Sequence, residues 1–189
     1  MRKILVANHV TIDGFFAGPN GELDWFVRDD QLANYAAEQL KTKDALLLGW
    51  KTYQLLASYW PTPAAFKDNP ILAPMLNNIE KIIFSRALNR AEWNNSRLIK
   101  ENMAEEVLKL KRQLGSDMVI LGSGSIVSAL TRLGLIDEYE FMVNPVILGR
   151  GRSQFEGLDG RLKMKLIKAE TLSSGIVILG YEPMKDKPR

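Results

Sequence analysis

Short unbroken apolar runs alternate with helical spacings over the first two thirds of the chain, while the last third carries runs with no helix between them. Residues 3–12 are rich in Ile, Leu and Val, as a strand covered on both faces requires. Turn chemistry follows at once, Asp13-Gly14 and then Gly18-Pro19-Asn20-Gly21, which predicts a loop over about 13–24. From Asp29 or Asp30, Leu32, Tyr35, Ala36 and Leu40 fall at helical spacing behind N-terminal acids. Ala45-Leu46-Leu47-Leu48 reads as a second buried strand closed by Gly49, with a short helix starting at Lys51. Four prolines within 57–78 predict an irregular excursion, with a helical turn or two after Pro70. Lys81 to Ser85 is a third strand, Leu98-Ile99 a short fourth, and Met103 to Leu114 an amphipathic helix. Met118 to Leu121 is a strand running into Gly122-Ser123-Gly124-Ser125, and a helix from about Ile126 stops at Gly134.

After Asp137 the pattern changes. Tyr139 to Val143 and Val146 to Leu148 are strand-like on either side of Pro145. The runs 163–171 and 175–182 are extended and joined by the hairpin-like turn Leu172-Ser173-Ser174-Gly175. Strand–helix repeats followed by a strand-rich end predict an α/β fold, a mostly parallel central sheet carrying antiparallel C-terminal strands. No repeat, low-complexity tract or linker divides the chain, so residues 1–189 are expected to form a single domain.

Composition narrows the chemistry. A chain of 189 residues with 46% apolar positions can bury one full core. The lack of cysteine excludes disulfides, zinc–thiolate and iron–sulfur sites and a cysteine nucleophile. A lone histidine, His9, excludes any site needing two, and no metal is expected. The net charge of +3 is spread among acids, and the densest basic run, Lys109 to Arg112, is one helix face; nucleic-acid binding is not expected. No apolar run reaches the roughly 20 residues of a membrane span. Met1 to Ala7 has basic residues before an apolar run, but the run breaks at Asn8 and His9 without a cleavage-like site. These features predict a cytoplasmic protein.

Three places carry candidate chemistry. In Val119 to Ile126 a buried strand feeds a glycine-rich turn that opens a helix, whose free N–H groups and dipole make an anion site. Gly122 and Gly124 admit a phosphate to the backbone, and Ser123 and Ser125 add hydroxyls or simply cap the helix. Gly49-Trp50-Lys51-Thr52 repeats the arrangement, with Lys51 and Thr52 either phosphate ligands or a solvated lysine and a cap. Ser85-Arg86 ends a third strand, where arginine either forks onto a phosphate or stays at the surface. All three lie at predicted carboxyl ends of strands, where open α/β sheets bind ligands. Jointly they point to a dinucleotide with several phosphates.

The chain resembles the dihydrofolate reductase-like superfamily, in the branch of the C-terminal reductase domain of the bifunctional riboflavin-biosynthesis protein. The blocks are Thr11 to Ala17, Leu48 to Tyr53, Ile82 to Ser85, Ile120 to Gly124 and Asn144 to Gly151, in family order. The resemblance implies a three-layer fold and NADPH-dependent reduction of a small heterocyclic or carbonyl substrate. The strand-rich C-terminal segment, with its apolar run Ile176 to Leu179, leaves sheet surface to cover. Together with the dimers common in the family the chain resembles, this predicts a symmetric homodimer to which residues of about 139–182 contribute. The resemblance also implies that the Ala7 backbone faces the nicotinamide and that the loop from Gly14 to Ala17 covers it. Gly49, Lys51 and Thr52 are then expected at the phosphates, and Ser85 and Arg86 by the adenosine 2′-phosphate. Gly122, Ser123, Gly124, Ser125, Ile126 and Val127 are expected at the pyrophosphate and adjoining ribose. A non-catalytic NADPH- or nucleotide-binding module is the alternative.

Two departures concern the substrate. The riboflavin reductases typically carry lysine after the Asp-Gly turn and glutamate after the Gly-rich turn; this chain has Phe15 and Ile126. Weak or absent riboflavin-pathway activity is therefore expected. Asp24, beside Trp25, is the sequence candidate for proton donor, or else a cap of the following helix. His9, Asp13, Phe15 and Trp25 are candidates for the substrate pocket, with His9 otherwise a satisfied strand histidine and Asp13 otherwise the residue that shapes the Asp-Gly turn; the aromatic residues from Trp50 to Trp60 either wall that pocket or pack the core.

Overall fold

The computed structural model describes residues 1–27 and 29–184, so the expected 1–189 domain span includes residues outside the described ones. The elements in chain order are β1 (Ile4–Thr11), α1 (Asp30–Lys41), β2 (Lys43–Gly49), α2 (Trp50–Tyr59), α3 (Pro63–Asp68), α4 (Leu72–Asn78) and β3 (Glu80–Phe84). They continue as β4 (Ser96–Ile99), α5 (Met103–Arg112), β5 (Asp117–Leu121), α6 (Gly124–Arg132), β6 (Glu138–Asn144), β7 (Met164–Thr171) and β8 (Val177–Pro183). The eight strands form one sheet in the order β4-β3-β2-β5-β1-β6-β8-β7. Strands β1 to β6 pair in parallel, and β8 joins β6 and β7 antiparallel, as expected from the helix-free end.

Helices cover both faces. On one side Ile4, Val6, Leu47, Ile82 and Ile120 meet Val107 and Leu110 of α5 and Val127 and Leu130 of α6. On the other, Leu5, Leu46, Leu48, Ile83 and Val119 meet Leu40 of α1, Tyr53 of α2 and Leu76 of α4. This two-sided cover is why the central strands read as unbroken apolar runs. Leu46, Leu47 and Leu48 are fully buried, whereas the edge strand β7 exposes most of its residues. Inserting β5 between β1 and β2 gathers the carboxyl ends of these strands, and with them the connecting turns, at one rim.

Three expectations need correction. Residues 57–78 are more ordered than their prolines suggest: α2 runs to Tyr59, and α3 and α4 follow. Pro63 occupies the first turn of α3, whose free N–H it does not need, and the Thr62 hydroxyl accepts from Ala65 N–H. Helix α6 begins at Gly124, two residues before the predicted start, because Ser123 adopts a left-handed conformation and lets the chain enter the helix early. Val146 to Leu148 is not a strand. Val146 N–H turns back to Asn144 O at 2.8 Å, and the Asp13 carboxylate takes the N–H groups of Leu148 and Gly149.

Candidate active site

The Gly-rich turn is held by short polar side chains of its own Ser123, of β1 and of α2. Beyond Leu121 the chain passes through positive φ at Gly122 (+60°) and Ser123 (+51°). An L residue in that region costs about 1–2 kcal/mol, and a hydrogen-bond network offsets it. Asn8 of β1 accepts from Gly122 N–H and donates to Gly122 O. Ser123 N–H donates to Thr52 Oγ1 at 3.0 Å, and Gly49 N–H donates to Ser123 Oγ at 3.0 Å. A Cβ at Gly124 would stand 2.6 Å from the Phe16 ring, so glycine lets the loop after β1 lie on the turn. Among the described residues the N–H groups of Gly124 and Ser125 meet no protein acceptor, and they open α6 at the positive end of its dipole.

This turn forms one end of a cavity of about 1080 Å³. Lys51 and Thr52 of α2, Arg132 of α6 and Arg152 also line it. Its other end is apolar: Leu5, Ala7, Val119 and Leu121 make the floor, with Leu40 of α1, Leu56 of α2 and Leu76 of α4 as walls. Phe16, Ala17 and Phe26 of the long loop line it as well. That loop is pinned by an antiparallel bridge, in which Phe16 N–H donates to Arg152 O at 3.0 Å and Arg152 N–H to Ala17 O at 2.9 Å.

Three polar groups sit deep in this cavity. Glu140 of β6 is 3% exposed and accepts the Tyr35 hydroxyl from α1. Burial pushes its carboxyl above the usual glutamate range, against the opposing pull of the Tyr35 hydrogen bond. His9 stacks on Phe26 with centroids 4.2 Å apart, and the Asn144 amide donates to its Nδ1. Burial lowers its pKa to about 4, so the ring is neutral at physiological pH. Gln154 is 2% exposed, and neither atom of its amide has a protein partner.

A model of the RibD C-terminal domain matches residues 2–178. The chain belongs to the RibD C-terminal domain family. It is 33% identical over 180 residues to the uncharacterized protein YyaP of Bacillus subtilis (strain 168), covering 95% of this chain and 94% of that one. Its fold is similar to that of a Shewanella sp. PV-4 protein named for riboflavin biosynthesis, with TM-score 0.77, 19% identity and coverage of 98% and 100%. It is also similar to dihydrofolate reductase from Enterococcus faecalis, solved with NADP(H), with TM-score 0.65, 15% identity and 97% coverage of each chain. Against the deaminase/5-amino-6-(5-phosphoribosylamino)uracil reductase of Thermotoga maritima the TM-score is 0.69 at 18% identity, covering 97% of this chain but 57% of that one. The structural likenesses concern the dihydrofolate reductase-like fold.

In this member of the RibD C-terminal family, Ala7, His9, Ala17, Gly49, Lys51, Thr52, Gly122, Ser123, Gly124 and Ser125 come together around the cavity. The remaining candidates stand outside its lining. Asp13 is a brace: it accepts from the Thr11 hydroxyl at 2.6 Å and from two backbone N–H groups, which hold its carboxyl below the usual range. Gly14 supplies the positive φ (+85°) of that turn, and Phe15 packs where a Cβ at Gly151 would come within 2.8 Å of it. Asp24 is exposed, while Trp25 is buried and donates through Nε1 to Glu22 O. Ser85 accepts from Ala87 and Leu88 N–H, and Arg86 is exposed one strand out from Gly49. Ile126 and Val127 pack in the core.

The sequence reading missed Glu140, Gln154, Arg132 and Arg152, and took Tyr35 only as a core position. A signal existed for Glu140 alone, an acid inside the otherwise apolar run Tyr139 to Val143. Gln154 lies in the irregular stretch after β6, where no periodicity assigns a direction.

Proposed function

We propose that this protein is an NADPH-dependent reductase that delivers hydride to the C=N or C=O group of a small heterocyclic or carbonyl substrate. The observation that carries this reading is one cavity joining a helix N-terminus with free N–H groups to an apolar floor at the strand ends. The residues fit the cofactor. The N–H groups of Gly124 and Ser125, with Lys51 and Thr52, suit the phosphates. The orphaned Gln154 amide, which donates and accepts at once, suits ribose hydroxyls or a carboxamide. NADPH supplies hydride when bound; the chain holds it, excludes water with Phe16 and Phe26, and orients the substrate over Ala7.

Calorimetric titration with NADPH and NADH tests the reading. Lys51→Ala combined with Arg86→Ala is expected to weaken NADPH more than NADH, each charge-assisted contact contributing about 1.5–3 kcal/mol. Equal losses would remove both residues from the 2′-phosphate, and no NADPH binding by the wild type would remove the reading itself.

Phe15 and Ile126 both serve packing, which supports weak or absent turnover of the riboflavin-pathway pyrimidine. Complementation of a strain lacking that reductase, with an assay on its substrate, tests this, and robust growth and turnover would overturn it. We further propose a symmetric homodimer to which residues of about 139–182 contribute. Ile176 and Ile178 of the apolar C-terminal run are buried in the protein's own core, so the support comes instead from the exposed Leu166 and Ile167 of edge strand β7; a monomer at micromolar concentration in light scattering would refute it. Among the described residues no helix is long and apolar enough to cross a membrane.

A further inference from the structure

The floor of the apolar end holds a carboxyl group that the dinucleotide does not need. Ala7 of β1, Glu140 of β6, Gly180 of β8 and Lys168 of β7 stand side by side in register across four strands. Residues paired in register project to one face of a sheet. Glu140 therefore projects beside Ala7, and both line the cavity. Gly180 keeps the row open: a Cβ there would come within 3.0 Å of the Lys168 Cβ. Lys168 leans across this gap until its Nζ lies 3.9 Å from the centroid of the Tyr35 ring. Tyr35 in turn gives its hydrogen to Glu140 Oε2, and Oε1 has no protein partner among the described residues.

As packing alone the row is unfavourable. A buried carboxyl with one neutral hydrogen bond carries a desolvation cost that an apolar side chain would avoid. A carboxyl that lines a cavity with one oxygen held and the other without a protein partner is instead arranged to pass a proton.

We propose that Glu140 is the general acid of this site, giving its proton to a substrate that presents a C=N nitrogen or a carbonyl oxygen to the junction of β1 and β6. The inference rests on the reductase reading above and assigns its proton. A C–H bond forms at the substrate carbon, and the π pair moves to the heteroatom. Glu140 supplies that atom's proton and is left as carboxylate, to be reprotonated from solvent. The two electrons come from the reduced dinucleotide, which leaves oxidised. The substrate class that fits is a largely apolar ring with one polar edge for Glu140, because Leu5, Leu40, Leu56 and Leu76 line the cavity and its polar lining near Glu140 includes Lys43.

The surroundings push the carboxyl above the ordinary glutamate range. Desolvation raises the carboxyl most, and Glu138 of the same strand adds to it. The Tyr35 hydrogen bond, Lys168 of β7 and Lys43 of β2 pull the other way. Glu170 of β7 faces Tyr35, and His9 of β1 is neutral at physiological pH.

Two measurements test the assignment. The infrared difference between wild type and the near-isosteric Glu140→Gln, taken from pH 4 to 9, reads the carboxyl directly and needs no substrate. A protonated-carboxyl band that persists at pH 7 supports the proposal. Loss of the band near the ordinary glutamate value of about 4.3 overturns it, whether or not any probe is reduced. The second measurement follows NADPH oxidation with 7,8-dihydrobiopterin (a cyclic imine). Glu140→Gln is expected to lower kcat by about 10²–10⁴-fold and to abolish the fall in rate as pH rises. Tyr35→Phe removes a donor that favours the carboxylate, so its pH edge moves upward. An unmoved edge with unchanged kcat in both variants shows that the pair is only structural. Failure of the wild type to bind NADPH sinks the reductase reading, while the infrared band separately reports whether Glu140 is an acid.

Discussion

The two ends of the cavity are built in opposite ways. The dipolar end is made of backbone, glycine and three short polar side chains, Asn8, Thr52 and Ser123, each spent on holding the turn. The apolar end is made of long side chains from α1, α2, α4 and β6 that meet across large sequence separations. The first end is rigid because every hydrogen bond fixes backbone. The second is shaped by packing and can vary without disturbing the fold.

The largest expected effect breaks the first end alone. Gly124→Val places side-chain atoms where the Phe16 ring lies, so calorimetry is expected to show no measurable NADPH binding. Retained affinity would mean that the turn is not the phosphate site.

At the other end, pH is the lever. His9 has its pKa lowered from 6.5 to about 4, so as pH falls the unfolded chain takes up a proton that the folded chain resists. Stability is therefore lost as pH drops from about 6.5 towards 4. Urea denaturation of wild type against His9→Phe is expected to show a relative loss of about 3 kcal/mol over that window. A constant difference between pH 7 and pH 4 would refute the burial argument. Glu140 carries the opposite sign. Its raised pKa makes the wild type lose stability relative to Glu140→Gln as pH rises from about 4.3.

The smallest effect sharpens the contrast. Thr52→Val deletes the acceptor of Ser123 N–H with little change in volume, which costs about 1–2 kcal/mol. It is also expected to weaken NADPH while leaving probe binding at the apolar end unchanged. Equal loss at both ends would show that the cavity is one cooperative unit.

The parts legible in the sequence were those written in contiguous residues. Strand β2 is a run of leucines because both its faces are covered, and the Gly122 to Ser125 turn shows its glycines and hydroxyls in four adjacent letters. The early start of α6 was not legible, since it depends on Ser123 taking a positive φ supported by Thr52 and Gly49 from another strand and helix. Asp24 drew attention as an acid beside a tryptophan, yet its carboxylate lies at the surface while Trp25 turns inward.

Periodicity, turn residues and helix caps are local, and by themselves they determined the mostly parallel α/β sheet, its antiparallel end and the glycine-rich turn that opens α6 at a strand end. The sheet order β5-β1-β6-β8-β7 decided the rest. It set Glu140 beside Ala7, brought Lys168 over Gly180 to Tyr35, and enclosed Gln154 without a partner. These meetings join residues 100 or more positions apart, as between Tyr35 and Glu140, through hydrogen-bonded register across neighbouring strands. No single segment carries that register; it exists only once the strands have paired.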